Sequence, residues 1–105
     1  MNITKTKDSI SVYHQNGYNI SVASIDRIEP NKWWISRVNV KEVDRNQGIG
    51  SAMLKMAIEA VLEQEEAEIV VAPGGYNEDY EKQVNFYKKN GFVETEENGL
   101  LVYKQ

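Results

Sequence analysis

The stretch Val38-Asn39-Val40-Lys41-Glu42-Val43-Asp44-Arg45-Asn46-Gln47-Gly48-Ile49-Gly50 runs without a break into Ser51-Ala52-Met53-Leu54. An apolar strand stops, a charged turn follows, and two glycines open a long helix with apolar periodicity. This arrangement brings several backbone N–H groups and a helix N-terminus onto one spot, which suits a phosphate or pyrophosphate. Glycine at 48 and 50 lets the backbone approach such a ligand with no Cβ in the way. The competing reading is a plain strand–helix turn whose glycines serve packing.

Known phosphate loops narrow the choice. A P-loop ends in Gly-Lys-Ser/Thr, whereas Gly50 here is followed directly by Ser51. A dinucleotide fingerprint needs a third glycine where this chain has Met53. What remains is Arg45-x-x-Gly48-x-Gly50.

Composition sets outer bounds. The chain has 105 residues, 41% hydrophobic and 27% charged, which fits one soluble domain over 1–105 with a modest core. No run approaches the ~18 apolar residues of a membrane span, so no membrane role is expected. Met1-Asn2-Ile3-Thr4-Lys5 has no apolar stretch of the kind a secretory signal carries. The absence of cysteine excludes disulfides, thiolate metal sites and a thiol nucleophile, and no metal is expected. A cytoplasmic home is the natural expectation. The net charge of −4 argues against nucleic-acid binding; it fits a cationic acceptor, although solubility accounts for it equally well.

Two Asn-Gly pairs punctuate the chain. Asn16-Gly17 separates Ser9–His14 from Tyr18–Ile25, and Asn98-Gly99 separates Phe92–Glu96 from Leu100–Lys104. Both read as tight hairpins in which the pair takes positive φ. A third turn, Glu29-Pro30-Asn31-Lys32, precedes an aromatic strand from Trp33 to Val40. The first 40 residues are therefore an antiparallel meander of three strands, or four if Ile3–Lys7 forms one. In the Trp33–Val40 strand the alternation slips: Trp33 and Ile35 share a face, but Val38 and Val40 are the next apolar residues. A β-bulge near Ser36–Arg37 produces such a slip, and so does a strand half-buried on both faces.

Residues 49–66 repeat with helical period. Ile49, Ala52, Met53, Met56, Ala57, Ala60 and Val61 form one stripe, widened by Leu54, Ile58 and Leu62. The helix closes on Glu65-Glu66, unfavourable at the negative end of its dipole. A short buried strand over Glu68–Ala72 follows, then Pro73-Gly74-Gly75, then a second helix from about Asp79 to Asn90 with Asn90-Gly91 as its stop. The order βββ(β)–α–β–α–β–β is that of an α+β sheet with the glycine loop between the aromatic strand and the long helix.

That order, the Arg45-x-x-Gly48-x-Gly50 loop and the segment Asn85-Phe86-Tyr87-Lys88-Lys89-Asn90-Gly91-Phe92 together resemble the GNAT N-acetyltransferase superfamily over roughly residues 33–104. The second segment is similar to the family's Tyr-x-x-x-Gly-Phe hallmark. The resemblance implies a mixed, mostly antiparallel sheet with two main helices, opened at the bulged strand to admit the pantetheine arm of acetyl-CoA. It implies backbone contacts to acetyl-CoA from Val38 and Val40, pyrophosphate contacts from Gln47, Gly48, Gly50 and Ser51, and Arg45 at the head of the motif. Tyr87 takes the place of the tyrosine that hydrogen-bonds the CoA sulfur and protonates the leaving thiolate, unless it merely packs on the sheet beside Phe86.

The chain departs from the family pattern in places. Tyr80 stands where many relatives place an asparagine, and Trp34 where some carry a general-base glutamate. Pro73-Gly74-Gly75-Tyr76 is similar to the turn of small phage-type members, in which Gly74 and Gly75 either approach the pantetheine or simply bend. The N-terminal helix pair that roofs the acceptor site in relatives is absent, since only strands precede Trp33. An open groove suits an amine on a large partner, a protein lysine above all, and a homodimer would be one way to rebuild the roof. The alternative is a GNAT-like module that binds acyl-CoA or a protein without turnover.

Other residues carry weaker expectations. His14 reads as a surface residue beside a hairpin, and Glu42 and Asp44 as solvated turn charges. Of Trp33 and Trp34, on opposite strand faces, one belongs to the core and the other to the core or an acceptor surface. Glu29 is a candidate base through water. Lys88 and Lys89 are placed to meet a CoA 3′-phosphate or simply to solvate a helix end.

Overall fold

Short links turn the first 39 residues into an antiparallel meander of β1 (Asn2–Lys5), β2 (Ser9–Asn16), β3 (Asn19–Glu29) and β4 (Lys32–Asn39). The structure, a computed structural model, describes residues 1–74 and 80–105. After β4 come a 3₁₀ turn (Glu42–Asp44), α1 (Ile49–Gln64), β5 (Glu68–Val71), α2 (Tyr80–Lys89), β6 (Phe92–Glu94) and β7 (Leu101–Tyr103). One seven-stranded sheet runs β1-β2-β3-β4-β5-β7-β6, parallel only between β4 and β5. The architecture is the expected α+β sheet, mostly antiparallel, with two helices. Gly75 and Tyr76 of the expected turn, and Asp79 as the expected start of the second helix, lie outside the described residues.

Both Asn-Gly turns differ from the expected form. At the first, Asn16 is the last rung of the ladder, opposite Asn19, and only Gly17 has positive φ (63°). Glycine at the first central position, followed by Tyr18, is the type II′ arrangement. At the second, Leu100 N–H donates to the Glu97 carbonyl at 3.1 Å, and only Gly99 is left-handed, at 83°. The flanking strands end early, at Glu94 and Leu101, because the Thr95 hydroxyl bonds the loop backbone at Glu97 and Leu100 and offers it an alternative to the ladder. The Pro30-Asn31 turn forms as expected, with Asn31 at φ 64°.

The bulge is present. Ser24 pairs with Arg37 and Ile25 with Ile35, so Ser36 opposes no residue. This extra residue moves Val38 onto the same face as Trp33 and Ile35, where it packs against the core. Ile10, Val12, Ala23, Ile25, Trp33, Ile35, Ile69 and Val71 present that face to Met53, Leu54, Ala57, Ile58 and Val61 of α1. The helix lies slightly rotated from the expected stripe: Ala52 is exposed and Leu54 fully buried. Helix α2 joins the same core through Tyr87, with Val84 and Phe86 against it. Both helices thus occupy one face, and no helix separates β1 from β2, which are linked by residues 6–8.

The acidic end of α1 has a structural reason. The Glu65 carboxylate accepts hydrogen bonds from the Trp33 indole N–H (3.0 Å), the Asn31 backbone N–H (2.9 Å) and Arg27 Nε (3.2 Å). It ties the helix to the β3–β4 hairpin, which offsets its poor position on the dipole. The Trp33 bond, followed by the Asn31 and Arg27 interactions, holds its pKa below the ordinary glutamate value against the opposing effect of burial.

Candidate functional site

The opening in the sheet follows from the strand register. Strands β4 and β5 pair only at Lys32–Glu68, Trp33–Ile69 and Trp34–Val70. Beyond Trp34, β4 stays with β3 while β5 continues along β7, through Val71 opposite Leu101. The two parallel strands therefore part from Ile35 onward, at the end of the sheet where β4 hands over to the glycine loop. Val38 and Val40, half-buried, lie on this diverging stretch.

Backbone conformation brings the loop to the mouth of that opening. Asn46 (φ 63°) and Gly48 (φ 75°, ψ 8°) are both left-handed, and Gly48 forms the N-cap of α1 with no side chain capping it. The Ala52 N–H makes the first helical bond, to the Gly48 carbonyl at 3.0 Å. The N–H groups of Gly48, Ile49, Gly50 and Ser51 therefore have no acceptor within the helix, and they carry its positive end. Arg45 and Gln47 are exposed; their side chains brace the turn through Arg45 Nε to the Val40 carbonyl (3.2 Å) and Gln47 Nε2 to the Val43 carbonyl (2.8 Å).

The two glycines serve different ends. A Cβ at Gly48 would meet nothing within 4 Å, so its requirement is the left-handed backbone. A Cβ at Gly50 would lie 2.9 Å from Val40 Cγ2 and 3.5 Å from the Phe86 ring. At Gly50 the missing side chain makes room for protein, and α2 reaches the helix start as a result. Asn90, just after α2, donates to Ser51 Oγ at 3.1 Å and to the Phe86 carbonyl at 2.8 Å.

Tyr87 belongs to this joint. It is buried, with Phe86 and Phe92 in edge contacts at 5.2 and 5.5 Å between ring centres. Burial pushes its phenol up to about 12. Such a group holds its proton through the whole working pH range and acts as a hydrogen-bond donor.

Asp44 is not the solvated charge expected. It is 1% exposed and accepts from Ser21 Oγ at 2.7 Å and Asn16 Nδ2 at 3.2 Å, with His14 Nε2 at 3.7 Å. The Ser21 bond, followed by those of Asn16 and the proximity of His14, keeps its pKa below the ordinary value despite burial. Sequence reasoning missed it because its partners come from the β2–β3 hairpin. The one available signal was a polar residue, Ser21, on the core-facing side of a strand.

The remaining candidates separate. Trp33 is core; Trp34 is half-buried on the face without helices, level with Val70. Glu29 lies at the opposite end of β4 from the loop, on the order of 20 Å away by strand rise, and is no base for this site. Lys88 is paired with Glu94 at 3.3 Å. Lys89 and Lys55 face a cleft of about 250 Å³ between the helices, beside Asn90 and Tyr103. A wider depression of about 610 Å³ lies at the paired end of β5, among Asn31, Glu66, Glu68 and Gln105, away from the opening.

Known proteins of the same shape point in one direction. The model of the acetyltransferase (GNAT) domain family matches residues 6–94. The structure is similar to the PaiA N-acetyltransferase of Thermoplasma acidophilum in complex with coenzyme A, with TM-score 0.75 and 20% identity over 90% or more of this chain (93%) and 62% of that one. It is similar to a GNAT family acetyltransferase of Elizabethkingia anophelis with acetyl-CoA bound, with TM-score 0.73, 21% identity, and 93% and 77% coverage. It is also similar to the anti-CRISPR protein AcrVA5, with TM-score 0.67 and 20% identity, over 90% of this chain and 98% of that one. The chain thus spans less than two-thirds of the Thermoplasma protein but nearly all of the anti-CRISPR protein. No curated protein matches it.

Proposed function

Because the chain belongs to the GNAT acetyltransferase family, we propose that it transfers an acetyl group from acetyl-CoA to a primary amine, and that this amine is a protein lysine. The observation that carries the reading is the parting of β4 from β5 beyond Trp34, with the N–H groups of Gly48–Ser51, which have no acceptor within the helix, at its mouth. A pyrophosphate fits that helix start, with Arg45 exposed nearby to add positive charge. The thioester arm fits the parted strands, along the backbone of Val38 and Val40. The similar structures that hold coenzyme A or acetyl-CoA support acetyl-CoA as the ligand.

The chemistry is a direct displacement. The neutral amine forms a bond to the thioester carbonyl carbon, the C–S bond breaks, and the proton lost by the amine ends on the sulfur. Tyr87 assists as a hydrogen-bond donor to the departing thiolate. Its phenol near 12 is a weaker acid than a thiol of about 8.5, so it stabilises the thiolate without surrendering its own proton for good.

The lysine preference rests on the sheet face opposite the helices. With β1 and β2 joined by residues 6–8, few side chains there can enclose a small amine, whereas a protein surface brings its own cover. The match to a small anti-CRISPR protein over nearly its full length is in keeping with an effector directed at a large partner.

Two measurements test the reading. Acetyl-CoA is expected to raise the melting temperature of the wild type but not of Gly48→Glu, which sets a negative charge at the start of α1. Incubation with acetyl-CoA and a lysate, read by mass spectrometry, is expected to acetylate one or a few protein lysines. A free amine used at kcat/KM of about 10⁴ M⁻¹s⁻¹ or more, with proteins unmodified, would overturn the lysine assignment. Slow hydrolysis with no acceptor at all would favour a binding module.

A further inference from the structure

Among the described residues, the partners of the buried Asp44 carboxylate come from the β2–β3 hairpin: Asn16 from the end of β2, Ser21 from β3, and His14 nearby on β2. Ser21 has a second task. Its Oγ donates to Asp44 and accepts the Lys41 backbone N–H at 2.9 Å. One serine thus pins the 3₁₀ turn at both ends, at Lys41 and at Asp44, immediately before Arg45. The bonds the turn makes to itself are local: Asp44 N–H to the Lys41 carbonyl and Arg45 N–H to the Glu42 carbonyl. Nothing in them relates the loop to the sheet.

A carboxylate is buried at a cost unless it is fully paired, and a turn that needs only solvation would expose it, as this turn exposes Glu42. Two residues beyond Asp44 the chain enters the left-handed Asn46, and then Gly48. Conformations of this kind persist where the surroundings hold them. We infer that Asp44 is a positioning residue: clamped to Ser21 and Asn16, it fixes the loop in the conformation that presents the Gly48–Ser51 amides to a pyrophosphate. The inference rests on the acyl-CoA reading given above. Its physical content is preorganisation, since a loop already held in its binding shape loses less freedom when the ligand arrives.

The test is titration calorimetry of the purified full chain with acetyl-CoA, at a temperature well below the melting point of every variant. Asp44→Ala is expected to weaken binding by about tenfold or more, the cost of reordering a loop that was held. Ser21→Ala, which removes both the donor to Asp44 and the acceptor of the Lys41 N–H while leaving the buried charge, is expected to weaken it as well. The exchange Asn16→Asp with Asp44→Asn reverses the direction of one hydrogen bond while leaving an oxygen to accept from Ser21, and is expected to recover most of the affinity. A purely structural role would lower the melting temperature of these variants and leave the Kd of the folded protein unchanged. Wild-type Kd in folded Asp44→Ala and Ser21→Ala overturns the inference. Absence of binding by the wild type would instead overturn the acyl-CoA reading itself.

Discussion

Asn90, the residue after α2, donates its side-chain N–H to the hydroxyl of Ser51 in the first turn of α1, at 3.1 Å. The C-terminal end of one helix is thereby fastened to the N-terminal end of the other, across 39 residues of sequence. The same amide closes its own helix on the Phe86 carbonyl. Asn90→Ala removes both bonds and is expected to cost about 1–3 kcal/mol, from typical net values for part-buried hydrogen bonds. Urea unfolding measures it; a loss under a few tenths of a kcal/mol would show that the joint contributes nothing to stability.

The two loop glycines are expected to fail for different reasons. Gly50→Ala forces a methyl against Val40 Cγ2 and is expected to cost roughly 1–3 kcal/mol through overpacking. Its cost is expected to shrink when Val40→Ala is already present, a coupling that a double-mutant cycle reads directly. Gly48→Ala has open space but the wrong backbone, and is expected to cost roughly 1–2 kcal/mol with no relief from Val40→Ala.

Tyr87→Phe keeps the ring packing and loses only the hydroxyl. Turnover is expected to fall roughly 10²-fold while the KM for acetyl-CoA changes little, the pattern of an interaction made in the transition state. An ordinary phenol would begin to ionise near pH 10, whereas Tyr87 keeps its proton to about 12. The wild-type pH–rate profile is therefore expected to rise with deprotonation of the acceptor amine and show no downturn below about pH 11. A fall centred near 10 would place the donor elsewhere or in a wetter setting.

Glu65 links stability to acid. Its folded pKa lies below the unfolded value, so its contribution is complete above that value and is lost as pH falls through the folded one. Urea midpoints are expected to be lower in Glu65→Gln than in the wild type at pH 7. The two are expected to converge as the pH is taken down through about 4.3, the ordinary glutamate value, and below. Parallel curves between pH 6 and 3 would mean that the charge contributes nothing.

Patterns with a short period were legible in the sequence. The slip between Ile35 and Val38 was visible because alternation has a period of two and one extra residue inverts it, although a strand half-buried on both faces fitted the pattern equally well until the register decided for the bulge. The glycine loop was legible as a strand end meeting an apolar-periodic helix. Asp44 and Glu65 were not, because their partners lie 23 to 38 residues away and only strand register brings them together. Gly50 stayed open between a ligand and packing because its contact with the Phe86 ring depends on where α2 lands, which no local pattern encodes. Both Asn-Gly turns were placed correctly but given the wrong dihedrals: composition names a turn, and the neighbouring rungs choose its type.

The short pairing of β4 with β5 has a consequence for how the molecule comes apart. Only three rungs, at Lys32, Trp33 and Trp34, stitch the N-terminal meander to the strands that follow α1. The meander closes by nearest-neighbour hairpins and is expected to fold early, whereas β5 must wait for its partner across the length of a helix. The seam is thus the natural first fracture line, and amide exchange is expected to reach β5, β6 and β7 before β2 and β3. A ligand lodged where the strands part would touch both sides of that line and hold it shut, slowing exchange in strands it never contacts.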